Sequence, residues 1–406
     1  MVKQRASNRI RLLEDPMKPI ETRVKKLQNE GKRIISLVSG DPINAGGFTP
    51  PEHVVRSLVM AAQDKKNYGY SGYLPWGLEL KRAIADRQKK DHGIFYPPDR
   101  IVLTYGGTNA IDLLYFSLFD PKDELLVPEP TYHLFVFLTQ CYRTKFVTCR
   151  SDETNDWLPD IDDLRTKISE KTKCIILVNP NNPTGAVYNE KILREFVNIA
   201  GEHDLVIISD EIYDMTTFDG VKAISIASVA KDVPCIILNA LTKSYLVPAF
   251  RQGFICFHDP EEKINELVEK TNTFASKMLP MSALIQKASI DVLKGPTEFR
   301  KDLLKKLEKR RDYAWKRLNE IDGLTCVKPK GSYFAFPKVD GIGRIWKSDK
   351  DFLLSLLEEE GIVLRLGSMF GEKYGVEHFR VSFLFPINTM REAYDKLESF
   401  MKRHVS

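Results

Sequence analysis

Short runs dense in Val, Ile, Leu and Phe recur through the middle of the chain, at 101–105, 124–127, 174–178, 205–209, 235–238 and 253–257. They carry little apolar–polar alternation, the pattern of strands covered by helices on both faces. Between them, 110–119 and 190–202 read as helices. Alternation of strands and helices on this scale predicts an α/β domain built on a mostly parallel sheet. Beyond about residue 290 the texture changes. A long charged helix is predicted over 296–320, strand-like segments at 325–327 and 333–337, a helix at 350–360, and strands at 363–366 and 378–383. This α+β pattern predicts a second, smaller domain. The expected organisation is an N-terminal arm and part of the small domain over 1–45, a large domain over 46–290 and the rest of the small domain over 291–406.

Length and composition narrow the picture. At 406 residues the chain exceeds the size at which a single core stops growing. With 43% hydrophobic and 28% charged residues it has ample material for a large core. A net charge of +5 is small for this length and argues against nucleic acid or an anionic membrane as partner. No run approaches the roughly 18–20 apolar residues that span a bilayer. The opening MVKQRASNRIRLLEDP has no apolar stretch of signal-peptide length, and Glu14 and Asp15 come early for a transit peptide. It reads as an arm that packs on the protein. The six cysteines form no Cys-x-x-Cys pair and show no metal-ligand spacing, so no metal site and a reducing, cytoplasmic setting are expected.

In open α/β sheets the ligand sits beyond the carboxyl ends of the strands, and the residues there are unusual. After 101–105 come Gly106, Gly107, Thr108 and Asn109, then a helix. Glycines permit close backbone approach, and N–H groups at a helix start cradle phosphate. A tight turn with Thr108 or Asn109 as N-cap would use the same residues. Tyr132 follows 124–127 and has the ring to stack on a planar ligand or to fill the core. After Val178 runs Asn-Pro-Asn-Asn-Pro-Thr-Gly (179–185), more particular than turn chemistry requires. Asp210 ends a strongly apolar strand, where a charge needs a cationic partner unless it caps a helix. Lys243 lies just beyond the strand 235–238. A desolvated lysine there has a lowered pKa and becomes a nucleophile for carbonyls. Arg251, eight residues on, offers a planar fork for phosphate.

Together these motifs resemble the class I/II aminotransferases of pyridoxal-phosphate (PLP) fold type I. Asn-Pro-Asn-Asn-Pro-Thr-Gly, Ser-Asp-Glu-Ile-Tyr (209–213) and Thr-Lys-Ser (242–244) followed by Arg251 match that family in order and spacing. The resemblance runs from Ser39-Gly40-Asp41-Pro42 to Phe379-Arg380-Val381. It implies a large PLP-binding domain, a smaller α+β domain, and a homodimer whose sites lie at the subunit interface. By position, Lys243 would form the Schiff base with PLP. Asp210 would pair with the pyridine nitrogen, and Tyr213 and Asn182 with the ring's phenolic oxygen. Tyr132 would stack on the ring. Gly107, Thr108 and Arg251 would hold the phosphate. Arg380 would clamp the substrate α-carboxylate, assisted by Asn182 and the Gly40 backbone. The family usually brings a tyrosine from the neighbouring subunit to the phosphate; Tyr70 is favoured here, with Tyr73 next. The chain departs from the pattern at Ala240, where many relatives have Ser, and at Gly106, where some do.

For the substrate, 156–160, 179–188 and 250–253 resemble the alanine aminotransferase branch. That implies alanine and 2-oxoglutarate as the amino acid and 2-oxo acid pair. The sequence identifies no second arginine for a distal carboxylate, so an aspartate or aromatic aminotransferase stays open. A PLP-dependent carbon–sulfur β-lyase would share Lys243, Asp210 and Arg380. A regulator built on this domain would carry an added DNA-binding module, for which the stretch before Ser39 is too short.

Overall fold

The computed structural model describes residues 7–11, 13–278 and 281–405. The first six residues of the expected N-terminal arm, and Leu12, lie outside the described residues. The large sheet has eight strands: β1 (Ile101–Tyr105), β2 (Glu124–Glu129), β3 (Lys145–Asp152), β4 (Leu158–Pro159), β5 (Thr172–Val178), β6 (Val206–Asp210), β7 (Cys235–Ala240) and β8 (Gln252–His258). Their order across the sheet is β1-β8-β7-β6-β5-β2-β3-β4. From β7 to β3 every pairing is parallel. β8 runs antiparallel to both its neighbours, and β4 to β3. Every residue of β2, β6 and β7 is buried, as strands covered on both faces require.

The covering helices follow from local chemistry. Asn189 caps Glu190–Glu202 by accepting a hydrogen bond from the Ile192 N–H at 3.0 Å. Leu193, Phe196, Val197 and Ala200 then form the stripe that packs on the sheet. The helix expected at 110–119 spans Gly106–Leu118, so both glycines belong to its first turn. Neither Thr108 nor Asn109 is the N-cap. Tyr105 holds that position, and Asn109 reaches back to accept from its N–H. Asp210 caps no helix either; its carboxylate accepts from the Ile212 N–H two residues on.

A separate apolar cluster gathers residues of Lys18–Asn29, Phe299–Glu320, Asp349–Glu360 and Ile387–Val405 around short strands. The strand-like segments expected at 325–327 and 333–337 do not pair with each other. Leu324–Thr325 joins Lys338–Val339, and Phe334–Ala335 joins Phe379–Ser382. The strand expected at 363–366 is two: Ile362–Val363 pairs with Ile35–Ser36, and Arg365–Leu366 with Phe379–Ser382. Arg311, its side chain fully buried, ties this cluster to the large body through both oxygens of Asp219 and also donates to the Pro329 carbonyl. Among the described residues, no helix is long and apolar enough to cross a membrane.

β8 has a packing role that only glycine meets. A Cβ on Gly253 would lie 2.5 Å from the Gly106 carbonyl carbon and 2.8 Å from its Cα. Backbone therefore touches backbone where the sheet meets the helix Gly106–Leu118. Gly253→Ala is expected to lower stability by about 1–3 kcal/mol, the scale of overpacking in a tight core, read as a lowered urea midpoint with an unchanged slope.

Candidate active site

The carboxyl edge of the parallel strands opens into a cavity of about 420 Å³. Five strand ends deliver residues to it. β1 leads to Gly107 and Thr108, β2 to Tyr132, β5 to Asn182, β6 to Asp210 and Tyr213, and β7 to Lys243. β8 runs the other way, so its amino end lies at this edge and Arg251 arrives immediately before it. The far wall comes from Gly40, Phe334, Arg365 and Arg380. Every site residue expected from the sequence lines the cavity except Tyr70. Tyr70 and Tyr73 stand on the surface, 69% and 92% exposed in the single chain.

Asp210 is buried, with an Oδ1 bond from the Ile212 N–H at 3.1 Å. Desolvation raises its pKa to about 6, against the N–H and the Lys243 charge, which pull it down. Lys243 Nζ donates to the Gly40 carbonyl at 2.7 Å. Burial, with Arg380 and Arg251 adding to it, lowers its pKa to about 8 although Asp41 and Asp210 oppose this. Burial pushes the Tyr213 phenol up, so it stays a hydrogen-bond donor.

Arg380 is held from two sides. Nη1 donates to Asn182 Oδ1 at 3.0 Å and Nη2 to the Val38 carbonyl at 2.9 Å. Its guanidinium lies 3.8 Å from the Phe334 ring centroid and 4.9 Å from that of Phe370. Nε is buried without a partner, and among the described residues no carboxylate forms an ion pair with Arg380. A buried cation so placed calls for an anion. Of the three asparagines in 179–185, only Asn182 faces the cavity. Asn179 and Asn181 fold their own loop, accepting from the N–H groups of Tyr188 and Thr184.

These residues fit PLP. At one end Arg251 donates to the Tyr105 and Pro248 carbonyls beside the start of a 13-residue helix. Its backbone is left-handed at φ +49°, which for a non-glycine costs roughly 1–2 kcal/mol. Gly106, at φ +77°, leaves the space the guanidinium occupies; a Cβ there would lie 2.5 Å from Arg251 Nη2. Backbone N–H groups, the Thr108 hydroxyl and a fixed guanidinium suit a phosphate. Across the cavity, the desolvated Asp210 suits a protonated ring nitrogen.

Two ionisable lining residues were not foreseen. His133 is kept neutral, its pKa lowered to about 3 by burial and the nearby Arg365 and Arg380. Arg365 sits in a run of apolar strand residues, and that placement was its signal, the same anomaly that marks Asp210.

Fold and site define a PLP-dependent enzyme of fold type I. The chain belongs to the aminotransferase class I and II family, whose model matches residues 32–397. It is 34% identical over 387 residues to an alanine aminotransferase of Mycobacterium tuberculosis, covering 94% of this chain and 89% of that one. It is 31% identical over 385 residues to a glutamate-pyruvate aminotransferase of Escherichia coli, covering 94% of each. The structure of an alanine aminotransferase from Pyrococcus furiosus superposes with a TM-score of 0.92 at 42% identity, over 98% of this chain and 100% of that one. The protein is a PLP-dependent aminotransferase.

The lowered pKa of Lys243 has a consequence for stability. Unfolded, the amine titrates near 10.5; folded, near 8. Between these values the unfolded chain binds more protons, so stability rises with pH there. Below about 8 the folded state carries the whole penalty. Cofactor-free Lys243→Met is therefore expected to be more stable than the parent at pH 7 by about 1–3 kcal/mol. The difference should shrink from pH 8 to 10.5 in urea unfolding curves.

Proposed function

We propose that the protein transfers the amino group of L-alanine to 2-oxoglutarate, giving pyruvate and L-glutamate. In this reading Lys243 is both the covalent anchor of PLP and the proton carrier. The observation that carries it is the meeting of a desolvated amine, a buried carboxylate and an unpaired buried guanidinium in one cavity. The names of the mycobacterial and Pyrococcus relatives, alanine aminotransferase, and of the Escherichia coli relative, glutamate-pyruvate aminotransferase, support alanine, pyruvate and glutamate, and 2-oxoglutarate is the oxo acid that corresponds to glutamate.

When bound, PLP supplies a protonated, conjugated ring that takes up the electron pair left when the substrate Cα–H bond breaks. The residues of the chain prepare that step. Arg380 fixes the α-carboxylate, with Asn182 fixing Arg380, so the Cα–H bond is presented in one orientation. Lys243 Nζ accepts the Cα proton and delivers it to the cofactor side. Its lowered proton affinity brings it nearer the working pH, where general acid–base help contributes about 10²–10⁴-fold. Asp210 keeps the ring nitrogen protonated. Tyr213 donates to the ring oxygen, and Tyr132 covers a ring face. Gly107, Thr108 and Arg251 hold the phosphate.

The reading includes a homodimer. Tyr70, or failing it Tyr73, reaches the partner's phosphate, and the exposure of both in the single chain supports this. It also keeps the division into 1–45, 46–290 and 291–406. The separate apolar cluster formed chiefly by residues 17–48 and 303–401 supports that division.

The test is a half-reaction. Single amino acids are added to the holoenzyme with no oxo acid, and its visible absorption is followed. Alanine and glutamate should convert the cofactor to its amine form fastest. A persistent band while pyruvate and ammonia accumulate would establish a lyase instead. Lys243→Ala should fold and lose turnover by at least the about 10²–10⁴-fold of the acid–base term; multiple turnover in that variant would refute its role. Asp210→Ala should still bind PLP yet lose most activity, and a near-normal rate would remove Asp210 from the chemistry.

A further inference from the structure

Arg365 and Arg380 stand directly opposite each other on the antiparallel strands Arg365–Leu366 and Phe379–Ser382. Opposed residues point to the same face of a sheet, their Cβ atoms about 4.5–5.5 Å apart. Both side chains line the cavity. Each has a buried Nε without a hydrogen-bond partner. Among the described residues no carboxylate forms an ion pair with either. Asp15 and Glu21 act on Arg365 only through space, and Asp15 accepts from the Met17 N–H.

Two adjacent guanidinium groups repel each other, and burial strengthens the repulsion. Among the described residues Asp210 is the only carboxylate in the lining, and the proposed reading gives it to the cofactor. A fold that holds such a pair unneutralised is arranged for a ligand with two negative charges. One carboxylate is enough for Arg380. L-Alanine and pyruvate leave Arg365 unmatched, whereas a substrate with a carboxylate at each end matches both arginines.

We propose that Arg365 is the specificity-determining residue that holds the distal carboxylate of the five-carbon dicarboxylate pair, glutamate and 2-oxoglutarate. This rests on the aminotransferase reading above and adds to it a recognition device carried wholly by one subunit. The two half-reactions then differ in one respect. The alanine–pyruvate half uses Arg380 alone, and the glutamate–2-oxoglutarate half uses both arginines.

The experiment compares the holoenzyme with Arg365→Met and Arg365→Lys. Each half-reaction is followed separately by the cofactor's absorption. In Arg365→Met, kcat/KM for glutamate and 2-oxoglutarate should fall about 10- to 100-fold, the scale of a lost charge-assisted pair. That for alanine and pyruvate should change less than about threefold, and Arg365→Lys should recover part of the loss. In parallel, glutarate and butyrate are titrated as unreactive ligands of the unaltered holoenzyme. Glutarate should bind at least tenfold more tightly, a readout that needs no variant to fold. Equal losses for alanine and glutamate in Arg365→Met would overturn the proposal. So would an unchanged glutamate rate, or equal affinity for glutarate and butyrate. If the unaltered enzyme converts alanine but not glutamate, Arg365 loses its role and the aminotransferase reading stands. If it converts neither, the alanine–glutamate reading itself has failed.

Discussion

Like charge held in a confined, poorly solvated space is the constraint on which this structure turns. Lys243, Arg251, Arg365 and Arg380 surround one cavity whose lining, among the described residues, contains a single carboxylate, Asp210. Each cation raises the cost of the others, and burial raises it further. Such an arrangement persists only on a frame too stiff to relax it. The frame is the fully buried strands of the sheet on one side and a separate apolar cluster on the other. The repulsion among these cations is relieved when an anionic cofactor and substrate arrive.

The direction of β8 is what brings Arg251 to the cavity. Had it continued the parallel pattern, its amino end and Arg251 would lie at the opposite edge of the sheet. Antiparallel pairing with both β1 and β7 brings Arg251 beside the start of the helix Gly106–Leu118. The opposite end depends on the second cluster, since Arg380 comes from a strand of that cluster. Its bonds to Asn182 and to Val38 join the loop after β5, the N-terminal segment and the small strands at one guanidinium. In the proposed reading, orientation of the substrate carboxylate and the joining of these three segments therefore depend on the same group.

Much of this was legible in the sequence, for reasons that differ by residue. Asp210 and Lys243 stand out because a charge at the end of an apolar strand is anomalous. Asn182 could not be separated from Asn179 and Asn181 by local chemistry, since all three suit a turn; only resemblance singled it out. Strand β3 escaped notice because Lys145, Arg150 and Asp152 interrupt its apolar residues at a partly exposed part of the sheet. The direction of β8 is hidden by burial on both faces, which erases alternation. Its one clue is length, because residues 241–251 fall short of the dozen or more that a parallel crossover needs. Arg365 carried the same signal as Asp210, a charge within an apolar run, and shows that this anomaly deserves equal weight in short strands.

The departures from the family pattern have a physical reading in the same terms. Gly106 replaces a serine of some relatives, and a side chain there would collide with the Arg251 guanidinium. Its φ of +77° disfavours any other residue as well. Gly253 allows the same approach from the other side, its missing Cβ leaving room for the Gly106 backbone. Two glycines and one left-handed arginine thus form a single close-packed unit. Ala240 withholds a hydroxyl that many relatives supply, and Thr242, which lines the cavity, offers one nearby. With fewer side-chain hydroxyls, the proposed phosphate cradle relies more on the Arg251 guanidinium and the backbone N–H groups at the helix start. A fixed planar cation there offers two donors to a phosphate where a serine offers one. In the proposed reading the phosphate end of this site therefore follows from backbone packing, because Gly106 and Gly253 leave the room that sets Arg251 beside the helix start.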